Sequence, residues 1–322
     1  MTAAPRRRRS RRRILVALVA LGLAGTLLGV AAISSDTLGA GRLFDRAMAK
    51  VDRFVAGPVP DRSAPGTVLV TDPPGLVEEP DPDESPADGP SPIVSIGPSI
   101  TPVPAPSADA TPASVRRAVD VDIVQNDKAV FAHQLDTHWC APAGIQITLA
   151  ILGLGDTSHT FQRTIAGRVH EWESLKDSRN GDWGPSAIAL ALDAYGAKGY
   201  EVRAYKTRQG ALRDAARAIM RTDSPVLLIA WKGAHTWVMS GFRANADPTL
   251  FADATISGTY ILDPWYPDWS SIWGQSDGPG VFQNNAEMVR NYLPWKRPEG
   301  KYPDRDGLYI AVVPTIKAGS AK

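Results

Sequence analysis

The chain has a single cysteine, Cys140, among 322 residues. A lone cysteine makes no internal disulfide, so any folded region is held by its core rather than by covalent staples. Metal ligands are equally sparse: His138 and Cys140 alternate, but no further ligands complete a site, and neither a metal nor a cofactor is expected. There is no excess of positive charge outside the N-terminus. The net charge is +1, and removing the seven arginines at 6–9 and 11–13 leaves the remainder at −6 with no basic stripe, so nucleic acid is excluded as a partner.

What is present falls into segments. Residues 1–13 are a basic tail, expected to be cytoplasmic. The uncharged run 14–33 has about the length that crosses a hydrocarbon core of roughly 30 Å, and arginine on its N-terminal flank predicts a signal anchor with everything after it outside the cytoplasm. The expectation is thus a single-pass cell-membrane protein with one transmembrane helix. The alternative is secretion after signal cleavage, at the small residues Val30-Ala31-Ala32 or Leu38-Gly39-Ala40. Residues 34–56 form a juxtamembrane segment whose stretch 43–55 reads as a short amphipathic helix for the membrane surface. Residues 57–114 carry more than half of the 27 prolines and the acidic run Glu78, Glu79, Asp81, Asp83 and Glu84. Such a stretch buries too little apolar surface to offset its ordering entropy and is predicted to be a disordered tether. All nine tryptophans fall in 115–315, which reads as one folded domain, with 316–322 as a tail.

Within that domain the chain is organised around Gln134 to Gly153. Cys140 enters an apolar run with Pro142 in its first turn, a position that suits proline because its missing N–H would have no partner there. A thiol at a helix N-terminus feels the positive end of the macrodipole, which favours the thiolate, so Cys140 is a candidate nucleophile. The competing reading is a small buried hydrophobe. Gln134, six positions earlier, carries a side-chain amide able to donate to a developing oxyanion.

Further on, Phe161, Ile165, Val169 and Trp172 recur at helical spacing, 186–195 is a helix entered through Asn180-Gly181 and Gly184-Pro185, and Leu212 to Met220 mark another. Strands are predicted at 119–123, 225–231, 235–242, 259–262 and 308–313. Helices first and antiparallel strands later predict an α+β fold, a helical half carrying the cysteine packed on an antiparallel sheet. His235 begins one strand and Asp263 ends the next, so antiparallel neighbours bring both to one edge. Cys140 as nucleophile, His235 as base and Asp263 as the group fixing the imidazole tautomer then form a triad, with Gln134 and the Cys140 N–H as the oxyanion hole. His133 and His138 flank the loop before the cysteine and read as solvent-facing. Trp265, Tyr266, Trp269 and Trp273 either wall a cleft or pack under a long loop.

Gln134-x5-Cys140, Gly-Pro-Ser at 184–186, Pro-Val-Leu-Leu before Gly-Ala-His235, and Ile-Leu-Asp263-Pro resemble the C39-like cysteine peptidases over about residues 131–313. The resemblance implies a papain-like fold, a peptide or protein substrate, and cleavage of peptide bonds, with Gln134, Cys140, His235 and Asp263 in the roles above. Two departures stand out. Many relatives place glycine after the cysteine where this chain has Ala141. The chain also has no Walker A loop, so the double-glycine substrate class of the transporter-fused members does not carry over. Two alternatives remain: a transglutaminase-like acyl transferase, which His235 to Val238 followed by Asp263-Pro264 also resembles, and a catalytically silent domain that binds peptide or wall polymer.

Overall fold

A computed structural model of the protein describes residues 59, 65–71, 115–179, 182–296 and 300–317. The chain divides into two units, Met1–Pro58 and Val59–Lys322. None of the first is among the described residues, and everything below belongs to the second.

The elements in chain order are β1 (Val68–Val70), β2 (Val119–Asp122), α1 (Asp127–Val130), α2 (Cys140–Ile151), α3 (His159–Gly167), α4 (Pro185–Ala194), β3 (Tyr200–Tyr205), α5 (Arg208–Thr222), β4 (Val226–Ala230), β5 (His235–Ala244), β6 (Ile256–Leu262), β7 (Trp269–Ser270), β8 (Gly274–Gln275), β9 (Val281–Asn284), α6 (Asn285–Asn291) and β10 (Tyr309–Pro314). The main sheet runs β1-β3-β10-β4-β5-β6-β9, with β2 also paired to β5. Every pairing in it is antiparallel except β1 with β3.

The central strands β4 and β10 are apolar throughout and wholly buried, so each of their faces requires a cover. Leu227, Ile229, Ile310 and Val312 point into a core shared with α2, α3 and α4. Val226, Leu228, Ala311 and Val313 point into a second core, covered by α5 and α6. This corrects the expected division into a helical half and a sheet half: the fold is mixed α/β, with helices on both faces of a mixed sheet. The amphipathic stripe Leu212, Ala215, Ala216 and Ile219 places α5 on the second face. The helical spacing read from Phe161 to Trp172 is interrupted, since α3 stops at Gly167 and a short 3-10 turn, Val169–Glu171, follows. β3, β9 and α6 were not expected.

The predicted tether also needs correction. Thr67 to Val70 is a β-branched and apolar run inside the proline-rich stretch, and Val68–Val70 pairs in parallel with Arg203 to Tyr205 at the sheet edge. The rest of 57–114, apart from 59, 65–66 and 71, lies outside the described residues, as do the 43–55 stretch and the Asn180-Gly181 turn.

The expected transmembrane helix and signal anchor are corrected as well. Among the described residues no helix is long and apolar enough to cross a membrane. The longest described helix, α5, has 15 residues, about 22 Å at 1.5 Å per residue, and it carries Arg208, Arg213, Asp214 and Arg217 beside its apolar stripe. Residues 14–33 themselves lie outside the described residues.

Helix α2 lies on β4 and β5 with Gly144 at the closest approach, where an added Cβ would meet the Thr236 methyl at 3.0 Å. Leu149, in the last turn of α2, is fully buried in the first core. Leu149→Ala is expected to cost about 2 to 5 kcal/mol, because the transfer of the side chain and the cavity left behind both count. Urea denaturation of the full chain measures it, and a change near zero would contradict this packing.

Candidate active site

The site begins with a strained turn. β4 ends at Ala230 and β5 begins at His235, and the four residues between reverse the chain. Trp231 at φ 53° and Lys232 at φ 60° are both left-handed without being glycine, and Gly233 follows at φ 92°. Each such bulky residue costs of the order of 1 to 3 kcal/mol and persists only where its surroundings over-determine it. Here they do. Trp231 N donates to Asn291 O at 2.8 Å, Lys296 N donates to Lys232 O at 3.1 Å, and Gly233 has no room for a side chain because its Cβ would lie 2.7 Å from the Trp295 ring. The turn delivers His235 as the first residue of β5.

β5 pairs with β6 through Val238↔Leu262 and Met239↔Ile261, and Asp263 leaves the end of β6 beside the start of β5. The two side chains meet there: His235 Nε2 lies 2.6 Å from Asp263 Oδ1, with both residues buried. Asp263 Oδ1 also accepts the backbone N–H of Trp265 at 2.9 Å, which fixes the carboxylate. Cys140 is the first residue of α2, with Trp139 as N-cap and Ala143 N bonded to Trp139 O at 3.0 Å. Its thiol is electrostatically coupled to the His235 ring. Since Nε2 is committed to Asp263, Nδ1 is the nitrogen left for the sulfur.

The electrostatics follow from that line. Burial alone would push the Cys140 thiol up, but the hydrogen bond and charge of His235, with further donation from Thr236, outweigh it and hold the thiol below its ordinary value. Burial likewise opposes the charge on His235. The Asp263 carboxylate and the Cys140 sulfur overcome it and push the imidazole up to about 9. A lowered thiol beside a raised imidazole is the condition for a thiolate/imidazolium pair at neutral pH.

Gln134 sits in the loop before α2 and is 3% exposed. Its backbone N donates to Pro264 O at 2.9 Å, which ties it to the residue after Asp263. One N–H of its side-chain amide donates to Asp136 O at 2.8 Å, leaving the second N–H of the same group. Its Oε1 is buried with no hydrogen-bond partner among the described residues. The loop is held from below by two buried glutamines: Gln162 accepts from Leu135 N at 2.7 Å and donates to His133 O at 3.0 Å and to Gln146 Oε1 at 2.9 Å. Gln146 sits in α2 and Gln162 in α3, so the loop is bonded to both the cysteine helix and the helix after it.

The structure therefore brings His235 and Asp263 into hydrogen-bond contact, couples Cys140 electrostatically to His235, and places Gln134 on the loop joined to Asp263's neighbour. His133 is not simply solvent-facing: its Nδ1 lies 2.8 Å from Tyr266 O, a second tie between the two loops. His138 is exposed and pairs with Asp136 at 3.1 Å. The aromatic loop divides its roles. Trp265 stands edge-on to His235 with centroids 6.4 Å apart, Tyr266 packs on Phe131, and Trp269 is 63% exposed. Sequence reasoning missed Trp231 and Thr236. An aromatic directly before a Lys-Gly reversal between two strands was the available signal for Trp231, and Thr236 had none.

No family model matches the chain, and no curated protein matches it. Among solved structures it is similar to a double glycine motif protease from an AMS/PCAT transporter, solved in complex with the leader peptide. The two share 17% identity and a TM-score of 0.32, over 61% of this chain and 99% of the other. At that level the likeness assigns neither a family nor an activity.

Proposed function

We propose that the protein is a cysteine peptidase, C39-like in the order of its site residues, which hydrolyses peptide bonds. The observation that carries this reading is the buried His235–Asp263 pair, bonded through Nε2, coupled to a half-buried Cys140 whose sulfur sits at a helix start. In this mechanism the Cys140 thiolate attacks the scissile carbonyl carbon, and the oxyanion is met by first-turn N–H groups of α2 and the second N–H of Gln134. His235 gives its proton to the leaving amine as the C–N bond breaks, leaving a thioester. Water, deprotonated by His235, then releases the acid and restores the thiol. Asp263 keeps the ring in place and stabilises its charged form. The substrate is a peptide or protein, and no cofactor takes part. We place the enzyme outside the cytoplasm on the order of its N-terminal sequence, an arginine tract, an uncharged run and then small residues, as in an export signal.

The test is the fate of the acyl group. Incubation of the full chain with a peptide library and an added primary amine is expected to yield new peptide termini with water as acceptor. Amine incorporation at glutamine side chains without new termini would show a transglutaminase-like transfer, and binding with neither would show a silent domain. Gln134→Ala is expected to lower kcat by about 10² to 10³ with little change in KM, because the oxyanion exists only along the reaction path. Steady-state kinetics on any cleaved peptide checks this, and an effect confined to KM would remove Gln134 from the oxyanion role.

A further inference from the structure

The face of His235 away from the proton path is covered by Trp231. The two rings are stacked, with centroids 4.0 Å apart and planes 18° from parallel. Trp231 is fixed at every point: its backbone is locked in the left-handed turn, its indole Nε1 donates to Asn291 Oδ1 at 3.2 Å, and its other neighbour, Trp273, stacks at 5.6 Å with planes 5° apart. Trp231 is thus stacked with both His235 and Trp273. An indole offers a cation the most attractive of the aromatic faces, and the interaction strengthens where water is excluded. His235 is 2% exposed.

The geometry points to Trp231 as a positioning residue for the proposed reaction: its indole face holds the His235 ring plane between Asp263 and Cys140 and favours the imidazolium over the neutral ring. This rests on the peptidase reading for its purpose, but not for its physics. Rotation of the ring about its Cβ–Cγ bond would break the bonds to Asp263 and Cys140 together, and a parallel indole at 4.0 Å blocks that rotation. A strained turn at Trp231 and Lys232 is then the means of presenting the indole to a residue only four positions later. The charged groups facing the ring are the Asp263 carboxylate from the end of β6 and the Cys140 sulfur from α2. Trp265 adds an uncharged edge.

The experiment is a histidine NMR titration of the full chain, comparing wild type with Trp231→Phe and Trp231→Leu, and using His235→Ala to assign the resonance. Leucine keeps an apolar cover over the ring while removing the π face, so the change in hydration is kept small. The His235 midpoint is expected to fall by about 0.5 to 1 unit in the leucine variant and by a smaller amount in the phenylalanine variant, whose ring attracts a cation less strongly. The rate of Cys140 alkylation at neutral pH should fall in the same order. Midpoint and alkylation rate unchanged in either folded variant would overturn the proposal, and the phenylalanine variant decides the matter if leucine prevents folding. A wild-type midpoint near the ordinary 6.5 of free histidine would instead strike the ion pair itself, and with it the peptidase reading.

Discussion

Cys140→Ser is expected to lower peptide hydrolysis by at least about 10⁴-fold while leaving the fold intact. The substitution keeps nearly the same shape at the start of α2, so folding should be unaffected, yet the chemistry changes completely. A thiol beside a raised imidazole is eased toward its thiolate, whereas a hydroxyl with the same base is not ionised. Part of what raises the His235 imidazole is the Cys140 sulfur itself, so serine removes that support for the ion pair and leaves a hydroxyl that the same imidazole does not ionise. The comparison is kcat on a peptide cleaved by wild type, with circular dichroism as the control for folding. Turnover retained in Cys140→Ser, or in Cys140→Ala, would remove the nucleophile.

The second large effect is on stability, far from the chemistry. Asp177 and Arg305 are buried, at 0% and 2% exposure, and form an ion pair at 2.9 Å. Asp177 also accepts the N–H groups of Ser186 at 3.1 Å and Ala187 at 2.8 Å, the open donors at the start of α4. Arg305 donates in turn to Asp177 O, Ser186 Oγ and Thr67 Oγ1. Gly184 is glycine because a Cβ there would strike the Asp177 carboxylate. Asp177→Ala leaves the guanidinium buried and uncompensated and strips the helix of its cap, and it is expected to cost about 3 to 5 kcal/mol. Asp177→Asn keeps an acceptor for the helix and should cost less. Urea unfolding of the full chain reads both. A loss below about 1 kcal/mol for the alanine variant would mean that water enters and solvates Arg305. Because Thr67 belongs to this cluster, cutting the chain at residue 115 removes both a ligand of Arg305 and strand β1, so the folded region begins earlier than composition implies.

Much of the site was legible because its parts lie at element ends that local signals mark. Pro142 announces the first turn of α2, Gly233-Ala234 announces the reversal before His235, and Asp263-Pro264 closes β6. Those three marks put Cys140, His235 and Asp263 at element ends, and the structure adds the bond between His235 and Asp263. What was illegible is set by the other face of the sheet. The unbroken apolar run Val226 to Ala230 calls for a cover on both faces, but nothing in it says which elements supply the second one, so the core under α5 and α6 and the mixed character of the sheet emerged only from the structure. β1 was hidden for a related reason: three β-branched or apolar residues inside a proline-rich stretch have no local pattern long enough to outweigh the composition around them, and pairing with β3 decides the matter. Trp231 was missed because its role depends on a left-handed backbone, which ordinary propensities assign to glycine.

The central claim is that Cys140 is a thiol activated by His235. The lone cysteine makes this simple to measure, since any thiol adduct on the intact chain must be at Cys140. The full chain and its His235→Ala variant are exposed to a thiol-directed peptide electrophile at about pH 6.5, well below the ordinary thiol range near 8.5, and the intact mass is followed with time. The expected result is rapid gain of a single adduct by the wild type and slow or no gain by His235→Ala. Equal, slow labelling of both would contradict the account and leave the domain a binder rather than an enzyme.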